Sequence, residues 1–128
     1  MLRCWLDRRE SGQELVEYAM ILPLLLVLLV GIIEFSIIIF SYDTIANAAR
    51  EGARVAIISS SSDADVMAAV IDRALAVNLT SAEVTILRGH VVRVEVAHPV
   101  NLMTGPLIEA AGGSPTLLLR TAATMMLE

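Results

Sequence analysis

The hydrophobic pattern of the chain is first unbroken, then helical, then alternating. From Ala19 to Phe40 the sequence reads AMILPLLLVLLVGIIEFSIIIF, 22 residues with one formal charge. About 20 apolar residues suffice to cross a bilayer as a helix, so this run predicts one transmembrane span over about 19–42, bracketed by Tyr18 and Tyr42. Pro23 and Gly31 fit such a span, where both residue types are common. No proline interrupts the stretch that follows, SYDTIANAAREGARVAII (41–58). Ala46, Ala49, Ala53 and Ala56 recur at spacings of 3, 4 and 3, which places them on one helical face. Asn47, Arg50, Glu51 and Arg54 form a polar flank beside them. A helix continuous over residues 14–57 reaches ~66 Å, and its outer half projects from the bilayer as a stalk. The stripe of small residues, with Gly52 within it, lets another backbone approach closely.

Serines at 59–62 break the helix, and Ser62 with Asp65 supplies a capping pair for a second, amphipathic helix over about 64–78. EVTILR (83–88) and VVRVEVA (91–97) then alternate as strands, with Gly89-His90 as a tight turn and His98-Pro99 as the end of the second. Val92, Val94 and Val96 share one face, which is expected to cover the alanine stripe. A short helical piece, PLIEAA, is closed by Gly112-Gly113, and TLLLRTAATMML (116–127) forms a third strand. The expected fold is α+β. A long N-terminal helix and a second helix are joined by a small antiparallel sheet of about three strands, packed on the projecting half. The expected division is the long helix followed by a small domain over 59–128.

Composition narrows the function. The apolar fraction of 56% and mean hydropathy of +0.72 exceed those of ordinary soluble domains. Net charge is −5, and all nine basic residues are Arg with no basic stripe, so no nucleic-acid partner is expected. Cys4 is the only cysteine and makes no internal disulfide. His90 and His98 lie at a turn and a strand end without the clustered ligands of a metal site, and no nucleophile–base set or phosphate loop accompanies them. No enzyme activity, cofactor, metal or small-molecule substrate is expected.

Orientation follows from Arg3, Arg8 and Arg9 before the span against Arg50 and Arg54 after it, which favours a cytoplasmic N-terminus. A secretory signal cut near Ala46-Asn47-Ala48 is the rival, although typical signal cores are only ~7–15 residues. Glu34 is an acid inside the apolar run. It either snorkels outward or pairs with a polar group of a neighbouring chain, because Ser36 and Ser41 are the only candidates within the span.

Three stretches carry a family resemblance. GQELVEYAMILPLLLVLLVGIIEF opens with G-x-x-x-x-E-Y and reaches a G-x-x-E-F step; NAAREGARVAI follows; TAATMMLE closes the chain. Together they resemble the TadE-like proteins, pseudopilins of bacterial tight-adherence (Tad, Flp-type) pilus systems. The likeness is close over the first 57 residues and looser over the last dozen, with VRVEVAHPV as the main anchor between them. It implies a precursor cut by a prepilin peptidase after Gly12, so that Gln13 becomes the first residue, Glu17 the fifth and Tyr18 the sixth. It also implies an inner-membrane protein whose partners are lipid, the peptidase, other Tad pilins or pseudopilins and the assembly platform. Flp-type major pilins are usually far shorter, so the extra domain implies a minor component.

A physical role for Glu17 stands apart from the resemblance. Scission frees an α-amine, cationic at neutral pH with a reference pKa near 8. A carboxylate four residues on can neutralise it in its own or a neighbouring chain. Glu17 is thus the candidate for assembly register, whereas Glu14, outside the apolar region, is expected to be solvated. Asn47, Ala49, Arg50, Glu51, Gly52 and Arg54 are the candidates for helix packing. An uncleaved, single-pass membrane-anchored binding or sensory module is the other function class the residues allow.

Overall fold

The structure is a computed structural model that describes the backbone of residues 3–58 and 61–126 and the side chains of residues 12–58 and 61–126. Ser59 and Ser60 of the expected turn, Leu127 of the expected last strand and the side chains of Arg3, Cys4, Arg8 and Arg9 lie outside the described residues. Helix α1 (Arg3–Ala56) runs 54 residues, or ~81 Å, without a break at Pro23. It therefore begins at Arg3, within the leader that the resemblance implies, rather than near Glu14. The 18-residue apolar window that qualifies it as a membrane span is entirely uncovered, with exposed large side chains from Leu15 to Phe40. A helix buried in a soluble core would have that surface covered. This one could span a membrane.

The last third of α1 carries the domain. Ile45, Ala48, Ala49, Ala53 and Ala56 are fully buried. Alanine at these positions keeps the helix surface low, so α2 (Asp63–Arg73) and the sheet close on it directly. Gly52 shows how tight the fit is. A Cβ there would stand 2.3 Å from Val70 Cγ2 and 3.4 Å from Val94 Cγ1, so α2 and the sheet meet over a bare backbone. The close approach expected at Gly52 has Val70 as its cause.

Helix α2 starts at a capping box. Asp65 N–H donates to Ser62 Oγ (3.2 Å) and Ser62 N–H to Asp65 Oδ2 (2.9 Å), which satisfies two otherwise orphan donors. Val66 and Val70 are its buried residues. The helix ends at Arg73, not at Asn78. A 3-10 turn follows over Leu75–Val77, and Asn78 stops it in the left-handed conformation at φ 50°, which asparagine adopts more readily than most residues.

The sheet is antiparallel in the order β1-β2-β3, from β1 (Val84–Leu87), β2 (Val91–Asn101) and β3 (Thr116–Met126). Val92, Val94 and Val96 lie opposite Met125, Ala123 and Thr121 on the face that covers α1. Two sequence expectations change here. The β1–β2 connection is wider than a Gly89-His90 turn, because the first β1–β2 pair is Leu87 with Arg93. Strand β2 also does not end at His98-Pro99 but continues to Asn101, pairing Pro99 with Leu118. Proline is tolerated there because β1 pairs no further than Val96, leaving that edge of β2 open. Between β2 and β3 lies α3 (Gly105–Ala110), closed as expected by the two glycines. Gly113 N–H donates to Ile108 C=O (2.8 Å) and Gly112 N–H to Glu109 C=O (2.9 Å), with Gly112 at φ +84°.

Candidate functional site

Three groups on α1 carry the residues singled out by sequence. The first lies at its membrane-entry end. Gln13 and Glu17 are one helical turn apart on one face, and Gln13 Nε2 donates to Glu17 Oε1 at 3.4 Å. Glu14, Glu17, Tyr18 and Ile21 line one shallow exposed groove beside them, so Glu14 shares the face of Glu17. Gly12 sits one residue earlier inside a continuous helix, and a Cβ there would meet nothing within 4 Å. Packing therefore does not require glycine at 12. Its physical effect is on the backbone, where it weakens the helix by roughly 1 kcal/mol relative to alanine.

The second group is Glu34. Its carboxylate accepts from Thr104 N–H at 3.0 Å and from Thr104 Oγ1 at 2.6 Å. This replaces the expectation that any partner must come from another chain: the loop before α3 reaches back and supplies both donors. Within the span only Ser36 and Ser41 offer a polar group, whereas the donor lies 70 residues away. The domain thus grips α1 from Glu34 onward, two turns before the expected junction at Tyr42. Ile38 packs against the core and Ser41 is buried in it.

The third group is the NAAREGAR stretch, which the fold divides. Ala49 and Gly52 face the domain and are buried, while Asn47, Arg50 and Arg54 are exposed and Glu51 is half-buried. Arg50 Nη1 donates to Asn47 Oδ1 (2.8 Å), a bond along the helix surface. Of the six residues expected to pack the helix, only Ala49 and Gly52 do so fully within this chain.

Two further residues matter to the architecture and were not singled out by sequence. Arg88, just before the hairpin, donates through Nε to Asp63 Oδ1 (2.5 Å), through Nη1 to Ala56 C=O (3.3 Å) and through Nη2 to Ser61 C=O (3.1 Å). It ties the end of α1 to the start of α2 and satisfies a terminal helix carbonyl. An arginine beside a turn glycine gives no pattern that announces this. At the opposite end of the hairpin, Glu83 Oε1 lies 3.1 Å from His98 Nδ1, with both side chains largely buried. Glu83 Oε2 also accepts from Thr80 N–H (2.8 Å) and Thr80 Oγ1 (3.1 Å). Burial pushes the Glu83 carboxyl up, but the Thr80 backbone and hydroxyl bonds and His98 together outweigh it and leave the group below its ordinary value. Ser62 similarly holds Asp65 below the usual range by hydrogen bonds from its hydroxyl and backbone.

No curated protein and no solved structure in the comparisons matches the chain. A family model does: residues 12–54, which contain Gly12, Glu17, Glu34 and the Asn47–Arg54 flank, match the model described as TadE-like protein, so this segment of the chain is TadE-like, as its motifs indicate.

Proposed function

We propose that the protein is a non-catalytic minor pilin or pseudopilin of a Tad (Flp-type) pilus. It is anchored in the bacterial inner membrane with its N-terminus cytoplasmic and its α+β domain outside. A prepilin peptidase cuts it between Gly12 and Gln13, and the mature helix packs with those of other Tad pilins on the assembly platform. The observation that carries this reading is the pairing of Gln13 and Glu17 on one face at the base of an apolar helical window that no part of the chain covers. Once Gln13 bears a free amine, Glu17 is the carboxylate one turn away. A subunit docked out of step would leave a charge unpaired in oil, at a cost of several kcal/mol per ion, on the order found for buried charges. The TadE-like match over residues 12–54 supports the same reading.

The fold also argues against a secretory signal. Scission around Ala46-Asn47-Ala48 would cut through residues whose side chains build the domain core, since Ala48 is fully buried and Ala46 nearly so. The test is incorporation. In cells lacking the native gene, a Glu17→Ala chain should insert and be processed normally yet be lost from pilus assembly, measured as pili sheared from the surface and as co-purification with other pilins. A Glu17→Asp chain should recover part of it. Normal assembly by Glu17→Ala rejects the role of Glu17.

A further inference from the structure

The end of the domain that bonds Glu34 is unlike the rest of it. Residues 99–119, which run from the end of β2 through α3 into β3, carry one formal charge, Glu109. Residues 61–98 of the same domain carry Asp63, Asp65, Asp72, Arg73, Glu83, Arg88, Arg93 and Glu95. Large apolar side chains stand uncovered in the charge-poor stretch: Leu107 is 67% exposed, Met103 61%, Leu118 49% and Leu117 40%. The register places Leu117 and Leu118 at the end of the sheet nearest this loop, on opposite faces of β3. Leu117 and Leu118 pair with Val100 and Pro99 at the end of β2, and Leu102 N–H donates to Pro115 C=O across the loop that holds Met103 and α3.

The height of this end above the membrane follows from Glu34. From Ala19, where the apolar run begins, to Glu34 the helix rises ~22 Å of a ~30 Å hydrocarbon thickness. Thr104 bonds Glu34, so the loop at Met103 and the start of α3 stand in the outer part of that layer. We propose that Met103, Leu107, Leu117 and Leu118 form a lipid-facing foot. The domain rests this foot in the outer leaflet, beside the last turns of the span between Glu34 and Tyr42. The clasp sets Met103, next to Thr104, beside Glu34, whose neighbours along α1, Ile33, Phe35 and Ile37, are also uncovered. The occupant is therefore the same lipid that covers the helix. A charge-poor apolar patch beside a span would otherwise leave greasy surface in water at the membrane boundary. This inference rests on the membrane-spanning reading of α1 and is independent of cleavage at Gly12.

The experiment uses the full chain with Cys4→Ser, carrying one cysteine at a time: Leu107→Cys, Met103→Cys, Leu26→Cys within the span and His90→Cys at the far hairpin. Each is labelled with an environment-sensitive fluorophore and reconstituted at high lipid-to-protein ratio in vesicles of phosphatidylethanolamine and phosphatidylglycerol. Spin-labelled lipids with shallow or deep quenchers are then added. The labels at 103 and 107 should emit to the blue of the label at 90 and be quenched several-fold more strongly by the shallow lipid; the label at 26 should respond to the deep one. Labels at 103 and 107 that behave like the label at 90, while 26 is quenched, overturn the foot and leave the span intact. A label at 26 that escapes quenching overturns both. A blue shift at 103 and 107 that vanishes as lipid is added in excess assigns the surface to another copy of the chain and also overturns the proposal.

Discussion

Glu34 on the apolar helix and Thr104 before α3 form a two-bond clasp, backbone N–H at 3.0 Å and hydroxyl at 2.6 Å onto one carboxylate. The clasp fixes how low the domain sits on its stalk. It gives an acid within a greasy run two donors from its own chain, so the residue needs no neighbour to be satisfied. The core, by contrast, is built further out, around Ile45 to Ala56.

Separating clasp from core gives a first prediction. Glu34→Ala removes the acceptor for the Thr104 N–H without touching a core side chain. Hydrogen exchange at the Thr104 amide should quicken several-fold while exchange at Val94 stays as slow as in the parent chain. Thr104→Val, which keeps the N–H but loses the hydroxyl, should fall between the two. Equal protection at Thr104 in all three chains contradicts the clasp.

Gly52 and Val70 give a second. An exposed helix gains up to ~1 kcal/mol from Gly→Ala, but here the new methyl meets Val70 Cγ2 at 2.3 Å inside a filled core. Overpacking costs about 1–3 kcal/mol, so Gly52→Ala should lower Tm despite its better helix propensity. Adding Val70→Ala opens the space the methyl needs. The pair should therefore be less destabilised than the sum of the two single variants, and strict additivity rejects the contact.

A third concerns acid. The folded Glu83 carboxyl lies below its ordinary value of 4.5. A group lowered on folding contributes stability that is fully present above its unfolded pKa and is lost as pH falls through the folded one. Thermal unfolding between pH 7 and pH 3 should show the parent chain more stable than Glu83→Gln at the upper end. That advantage should shrink below about 4.5, the ordinary glutamate range. A gap that widens as pH falls has the wrong sign for this linkage. Asp65, held low by Ser62, contributes in the same direction and persists in both chains.

The legible parts of the fold were those that periodicity writes locally. The alanine stripe from 46 to 56 announced a helix face meant for close approach, and Val92, Val94 and Val96 announced the sheet face that covers it. Ser62 and Asp65 announced a cap within four residues. What escaped depends on neighbours distant in sequence. Pro99 is compatible with a strand only because β1 stops short of it. Arg88 matters through Asp63, Ala56 and Ser61, and Glu34 through Thr104; none of these distances leaves a period to detect. Gly12 is the converse case. The fold has no packing need for it, so its place in the sequence is explained by the motif alone.

That last point makes the decisive measurement clean, since Gly12→Ala should leave helix and domain intact and alter only processing. Membrane-extracted native protein, read by intact mass and N-terminal sequencing, should begin at Gln13, whereas Gly12→Ala should retain the full precursor mass. Native protein that keeps Met1, or starts anywhere other than Gln13, while still supporting pili contradicts the account.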